Sequence, residues 1–166
     1  MQRVGKAASI ALVLFMVSCD HGTKHLAKTH LEGRRALELV PGVFDLRYIE
    51  NTDSAFSLLG SLLAPEPRLV LLLVLKALAV AGLLTYVLLR FRQLGAMERT
   101  GASLVLAGGI GNLTDRLLRG YVIDFLHLHH WPVFNAADIA ISLGIGLLLL
   151  GSHRRLRREP ELSPST

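Results

Sequence analysis

The chain has 166 residues, of which 51% are hydrophobic and only 19% charged, and its mean hydropathy is +0.45. That balance suits a chain partly solvated by lipid and long enough for one compact unit. A single cysteine, Cys19, excludes an internal disulfide framework and a cysteine-rich metal site. The 18 Lys and Arg residues outnumber the 13 acids but gather in short clusters beside apolar runs, a pattern that orients membrane segments and argues against a nucleic-acid partner.

A membrane-spanning helix needs about 20 mainly apolar residues. The first candidate runs from Ala7 to Cys19 and continues through a polar turn to Lys24. Its start also reads as a signal sequence: Arg3 and Lys6, an apolar core, then Val17-Ser18-Cys19 as a lipidation site. Three further apolar spans and the polar run beginning at Asp20 favour a first transmembrane helix. An outward region follows, from Leu26 to Pro67. Within it Leu37 to Ile49 has strand-forming residues around a Pro41-Gly42 turn, and Ser54 to Leu63 suits a short interfacial helix. Leu69 to Leu89 is the second span; its mid-helix Lys76 either pairs with a buried carboxylate or snorkels. The third, Ala102 to Leu118, is the weakest, diluted by glycines and by Asn112, Asp115 and Arg116. A short outward stretch from Arg119 to Pro132 leads into the fourth span, Phe134 to Leu150. The tail from Glu159 reads as disordered. Residues 1–158 therefore form one four-helix unit with its main outward loop at 26–67.

Charge orients the spans. Arg3, Lys6, Arg90, Arg92, Arg99, Arg154, Arg155, Arg157 and Arg158 all fall on one side when both termini are cytoplasmic, as the positive-inside rule requires. Lys28, Arg34, Arg35 and Arg47 fall on the other side, spread among Glu32, Glu38, Asp45 and Glu50.

A carboxylate within a bilayer costs about 2.5–3.5 kcal/mol on insertion scales, so such a group is functional by default. Asp138 lies roughly one turn, about 5–6 Å, inside the outer end of the fourth span. Asp124 lies in the apolar stretch Val122-Ile123-Asp124-Phe125. The short outward connection can return Asp138 to the level of Asp124. Two acids in one half-dry pocket cannot both ionise, which is the arrangement aspartic proteases use. The competing reading pairs each acid with Arg116 or Arg119. Asn112, Asp115 and Arg116 share a helical face, with substrate contact and a simple Asp115–Arg116 pair both open. Asp20 and Lys24, four apart, can pair on one face. His127, His129 and His130 beside Asp124 raise a metal site, although no HExxH motif is present. A small transporter remains the rival function, with the intramembrane acids, Lys76 and the histidines forming a proton or cation path.

Five motifs in order resemble the lipoprotein signal peptidases (signal peptidase II), a family of aspartic peptidases. They are Asp20-His21-Gly22-Thr23-Lys24; Asn51-Thr52-Asp53-Ser54-Ala55-Phe56-Ser57; Gly108-Gly109 through Gly111-Asn112-Leu113-Thr114-Asp115-Arg116; Gly120-Tyr121-Val122-Ile123-Asp124-Phe125; and Phe134-Asn135-Ala136-Ala137-Asp138. The resemblance implies an α-helical inner-membrane protein with four transmembrane helices, a small periplasmic β-cradle and a short helix over the active site. It implies a monomer without metal or cofactor, which cuts before a diacylglyceryl-modified cysteine and is a target of the cyclic peptide globomycin. Carried over by motif, Asp124 and Asp138 are the catalytic acids. Asn51, Asn112, Arg116 and Asn135 bind or orient substrate, and Asp20, Lys24 and Asp115 support them. One departure stands out: Asp53 and Ser54 occupy positions where the family has Gly and Ala, which bears on substrate range and inhibitor fit.

Overall fold

The computed structural model describes residues 2–52 and 65–158. These residues form four long helices, α1 (Gln2–Leu31), α2 (Pro65–Arg90), α3 (Ala96–Arg119) and α4 (Ala136–Arg158). Three strands, β1 (Leu37–Val40), β2 (Phe44–Asn51) and β3 (Val122–Leu128), form an antiparallel sheet in the order β1-β2-β3 at one end of the helices. The expected interfacial helix at Ser54–Leu63, the departures Asp53 and Ser54, and the tail from Glu159 lie outside the described residues.

Three stretches are long and apolar enough to cross a membrane: Arg3–Leu31, Leu73–Arg90 and Ala136–Arg155. Their leucines are widely exposed, among them Leu14, Leu78, Leu88 and Leu149. Helices that are apolar around most of their circumference and unburied by protein are built for lipid. α3 does not meet that standard, because it carries Glu98, Arg99, Asn112, Asp115 and Arg116. It is the central helix, packed against α1, α2 and α4, and its polar groups turn toward those neighbours.

Close approach of α3 and α4 depends on small residues. A methyl added at Gly144 would lie 2.6 Å from the Gly101 carbonyl oxygen, and one at Gly101 would lie 2.7 Å from the Gly144 carbonyl. Association in lipid has no hydrophobic drive between helices, so backbone proximity supplies the dispersion contacts. We expect Gly144→Val to destabilise the protein by about 1–3 kcal/mol through overpacking. The measurement is the thermal midpoint in detergent. Gly146→Val, at a position with open space around it, is the control and should leave the midpoint nearly unchanged.

α1 is longer than the sequence suggested. It runs two turns beyond Lys24, and its length of about 45 Å exceeds a hydrocarbon core of about 30 Å. Those last turns carry Ala27 and Leu31, which cover Ile123 and Phe125 of β3 in a small core. The stretch after α3, expected as a plain connection, is the third strand. Val122 to Phe125 are all buried, so the strand reads as an apolar run broken by Asp124, without the alternation that marks a half-exposed one. α3 stops at Gly120, whose φ of 81° allows its N–H to reach the Arg116 carbonyl at 3.1 Å. The Pro41-Gly42 turn between β1 and β2 is present as expected, with Gly42 at φ 70°.

Candidate active site

Asp124 sits in β3, with Ile49 of β2 opposite it in the register. Asn51 pairs with Val122, two residues along the same face, and so stands diagonal to Asp124. Its amide Nδ2 donates to Asp124 Oδ2 at 2.7 Å. After β3 the chain turns at His130, with φ 66°, and folds back so that Phe134 exchanges backbone hydrogen bonds with Leu126 at 2.9 Å in each direction. That return places Asn135 alongside Asp124, where Asn135 Nδ2 donates to Asp124 Oδ1 at 2.6 Å.

Asn135 also starts α4. Its side-chain oxygen accepts from the Asp138 backbone N–H at 3.1 Å, and its own N–H donates to Asp138 Oδ2 at 3.1 Å. This reciprocal arrangement is a capping box built from Asn and Asp. Asp138 therefore occupies the first turn of α4, at the positive end of the helix dipole. Its other oxygen, Oδ1, accepts from Asn112 Nδ2 of α3 at 2.9 Å. One residue, Asn135, thus touches both acids, and each acid receives an asparagine amide from a different element.

A second layer fixes the asparagines. Asn112 Oδ1 accepts from Lys24 Nζ at 3.0 Å and from Asn135 Nδ2 at 3.2 Å, which dictates that its amide nitrogen faces Asp138. Lys24 is fully buried and bonds Asp20 Oδ2 at 2.7 Å, with Asp115 Oδ2 at 2.8 Å. Asp20 Oδ1 accepts the Ala137 N–H at 3.0 Å, satisfying another open amide at the start of α4. Gly111 permits this approach, since a methyl there would meet the Asp20 carboxylate.

The sequence-level alternatives resolve accordingly. Asp20 and Lys24 pair as expected. Asp115 pairs with Lys24 and Arg119 in place of Arg116. Among the described residues, Asp124 and Asp138 are held by asparagines and backbone, and neither forms an ion pair with Arg116 or Arg119. Arg116 is buried and donates to the Asn112 carbonyl at 3.3 Å, joining the same layer. The histidines do not gather beside Asp124. His127 points to the opposite face of β3, where its Nδ1 lies 2.9 Å from Asp45 Oδ2. Asp45, His127 and His129 bring donor atoms within 4.8 Å of one another, but Arg47 already grips both Asp45 oxygens at 2.7 Å. The guanidinium and His127 hold the Asp45 carboxyl well below the usual carboxylate range.

Burial pushes the Asp124 carboxyl above the usual range, and the charge of Asp138 adds to the effect; the amides of Asn51 and Asn135 offset only part of it. Two cavities meet at Asp138. One, of about 300 Å³, lies between α2, α3 and α4 and is lined by Lys76, Val80, Leu83, Asn112 and Asp138. The other, of about 250 Å³, lies between α4 and the β3–α4 connection, lined by Trp131, Phe134, Asp138 and Leu143. A chain threaded from one to the other would pass Asp138.

Sequence reasoning found the acids but missed three contacts that hold them: the Asn135–Asp138 cap, the Asp20 bond to the Ala137 amide, and the reach of Lys24 to Asn112. The cap had a visible signal, an Asn followed three residues later by an acid at the head of an apolar run.

Residues 12–154 match the family described as signal peptidase (SPase) II. A lipoprotein signal peptidase of Syntrophotalea carbinolica is 38% identical over 149 residues, spanning 87% of this chain and 90% of the relative. That of Geobacter metallireducens is 37% identical, spanning 84% and 86%, and that of Pasteurella multocida is 33% identical, spanning 92% and 90%. Two solved structures described as bacterial membrane enzymes superimpose with a TM-score of 0.75 each, at 24% and 22% identity. They cover 87% and 96% of this chain and 91% and 94% of their own. The ion-path reading finds no support among these relatives. With a match running through all four helices and the sheet, the chain belongs to the signal peptidase II family of bacterial membrane peptidases.

Proposed function

We propose that the protein removes the signal peptide from diacylglyceryl-modified prolipoproteins by cutting before the lipidated cysteine, with Asp124 and Asp138 as an aspartic dyad. The observation that supports this most directly is Asn135, which binds Asp124 through its side chain and Asp138 through its backbone and so links the two acids. Asp138, at the head of α4, acts as the general base and takes a proton from the attacking water. Asp124, raised by burial, carries the shared proton and delivers it to the scissile carbonyl oxygen. The tetrahedral intermediate then collapses: Asp124 takes back the proton of the hydroxyl that becomes the new carbonyl, and the proton held by Asp138 passes to the departing cysteine amine. Asn51, Asn112, Asn135 and Arg116 fix the acids and the substrate backbone, while Asp20, Lys24 and Asp115 hold those groups in place. No cofactor enters this scheme. The test is direct: purified protein with a lipid-modified prolipoprotein peptide should yield two fragments by mass spectrometry, and the same peptide with an unmodified cysteine should stay intact. Cleavage of neither peptide would overturn the reading.

The working location is the bacterial inner membrane. In this arrangement α3 is the fourth span, shielded from lipid by its neighbours, both termini are cytoplasmic, and the sheet and the acids lie at the periplasmic face. The protein acts as a monomer that meets its substrate within the lipid. Globomycin is the expected inhibitor. The basic residues at the ends of α1, α2, α3 and α4 away from the sheet support this orientation. A reporter fused after Arg158 should report cytoplasm, and one inserted near Glu38 should report the outer compartment. A C-terminus found outside would place the acids on the wrong face for exported substrates.

A further inference from the structure

The cavity between α2, α3 and α4 contains a cation that the network around the acids does not use. Lys76, in mid-α2, is half-buried and lines the same cavity of about 300 Å³ as Asn112 and Asp138. Ala79, Val80 and Leu83 continue its helical face, and the remaining wall is also apolar. Among the described residues no carboxylate forms an ion pair with it. α2 packs chiefly on α3, so the cavity is a cleft with α2 and α4 as its two sides. An ammonium within a spanning helix is expensive and marks a functional contact by default.

We propose that Lys76 determines specificity by donating hydrogen bonds to the ester carbonyl oxygens of the substrate's diacylglyceryl group, which lies in this cleft. The inference rests on the peptidase reading above. The apolar walls suit acyl chains. An acyl ester brings neutral acceptors with no donor of their own, so a buried ammonium and an ester carbonyl satisfy each other. A signal peptide in helical form differs, because its carbonyls are already bonded within the segment. The thioether link of the lipidated cysteine ties the ester carbonyls to the scissile carbonyl through one short flexible chain, the cysteine side chain and the glycerol backbone. One cleft can therefore hold the esters at Lys76 and the scissile bond at Asp138.

The experiment compares two lipopeptides that differ only in lipid linkage, diacyl ester and dialkyl ether, on the wild-type protein and on Lys76→Met. Loss of a hydrogen bond to a charged donor corresponds to about ten- to a hundredfold in binding. We expect Lys76→Met to raise KM for the diacyl peptide by that factor with kcat nearly unchanged, the mark of lost ground-state binding. The wild-type protein should show the same loss on the ether, Lys76→Met should show no further loss on it, and Lys76→Arg should recover most of the affinity for the ester. A thermal midpoint of the Met variant at or above that of wild type would separate binding from folding. Equal losses on ester and ether would overturn the proposal by moving the contact to a peptide carbonyl, and no loss on either would overturn it by removing the contact altogether. Failure of the wild-type protein to cut the diacyl peptide would instead overturn the peptidase reading, and this inference with it.

Discussion

Asp124→Asn and Asp138→Asn should each lower turnover of a lipidated peptide by about 10²–10⁴-fold, the range for loss of a general acid or base. Both substitutions keep the size of the side chain. At Asp124 both oxygens accept asparagine amides, so an introduced NH₂ would oppose one of them and weaken the fold by roughly 1–3 kcal/mol. At Asp138 the remaining carbonyl can still accept from the Asn135 N–H and preserve the cap, while the introduced NH₂ opposes the Asn112 amide at a similar cost. The variants should therefore insert and fold while losing chemistry, which a thermal melt alongside the rate measurement will show. The pH–rate profile of the wild-type protein should be bell-shaped, with two apparent values that belong to the pair. At low pH both acids are protonated and no base remains; at high pH both are ionised and no acid remains. Because burial and its neighbour raise Asp124, the loss of the protonated member comes at higher pH. The alkaline limb should accordingly lie above the usual carboxylate range, with activity extending toward neutrality. Near-normal turnover by either variant would remove that residue from the dyad. Activity abolished by a chelator would redirect attention to Asp45, His127 and His129.

The acids were legible in the sequence because lipid makes charge conspicuous. Asp138 interrupts an apolar run and Asp124 interrupts another, so hydropathy marks them as candidates beside Asp20 and Asp115, and the motif resemblance chose between them. The helices were legible for the same reason, except at their ends. α1 continues two turns past Lys24 because its last residues cover β3, a tertiary contact that local composition does not announce. β3 was hidden because burial on both faces removes the alternation by which a strand is recognised. The histidines illustrate the opposite case. They are close to Asp124 along the chain, yet strand alternation turns His127 away from it and toward Asp45. Asparagine roles were the least legible from residue pattern. Asn51, Asn112 and Asn135 come from three separate places in the chain, and only folding brings their amides to the two carboxylates.

Replacing Lys24 by Met should destabilise the protein by about 3–5 kcal/mol, the usual consequence of removing one partner from a buried ion pair. Lys24 has 0% exposure, and the two carboxylates it joins, Asp20 and Asp115, have 1% each. Without the ammonium, Asp115 retains Arg119 and Asp20 retains the Ala137 amide, but the charge balance of the layer is lost. The effect should reach the dyad by a second route. Asn112 turns its amide nitrogen toward Asp138 because Lys24 bonds its oxygen. With Lys24 gone, one of the two donors that set this orientation disappears, and Asn135 Nδ2, at 3.2 Å, is left to hold it. Lys24→Met should thus lower kcat as well as the thermal midpoint. The two effects separate in the double variant Lys24→Met with Asp20→Asn. Removing the uncompensated charge should restore part of the stability, whereas kcat should stay low because Asn112 is still held by one donor in place of two. Recovery of both would reduce Lys24 to a stabilising residue, and a Lys24→Met protein as stable as wild type would show that the buried layer carries little of the folding energy. Recovery of stability alone assigns Lys24 as the positioning residue that acts on Asp138 through Asn112.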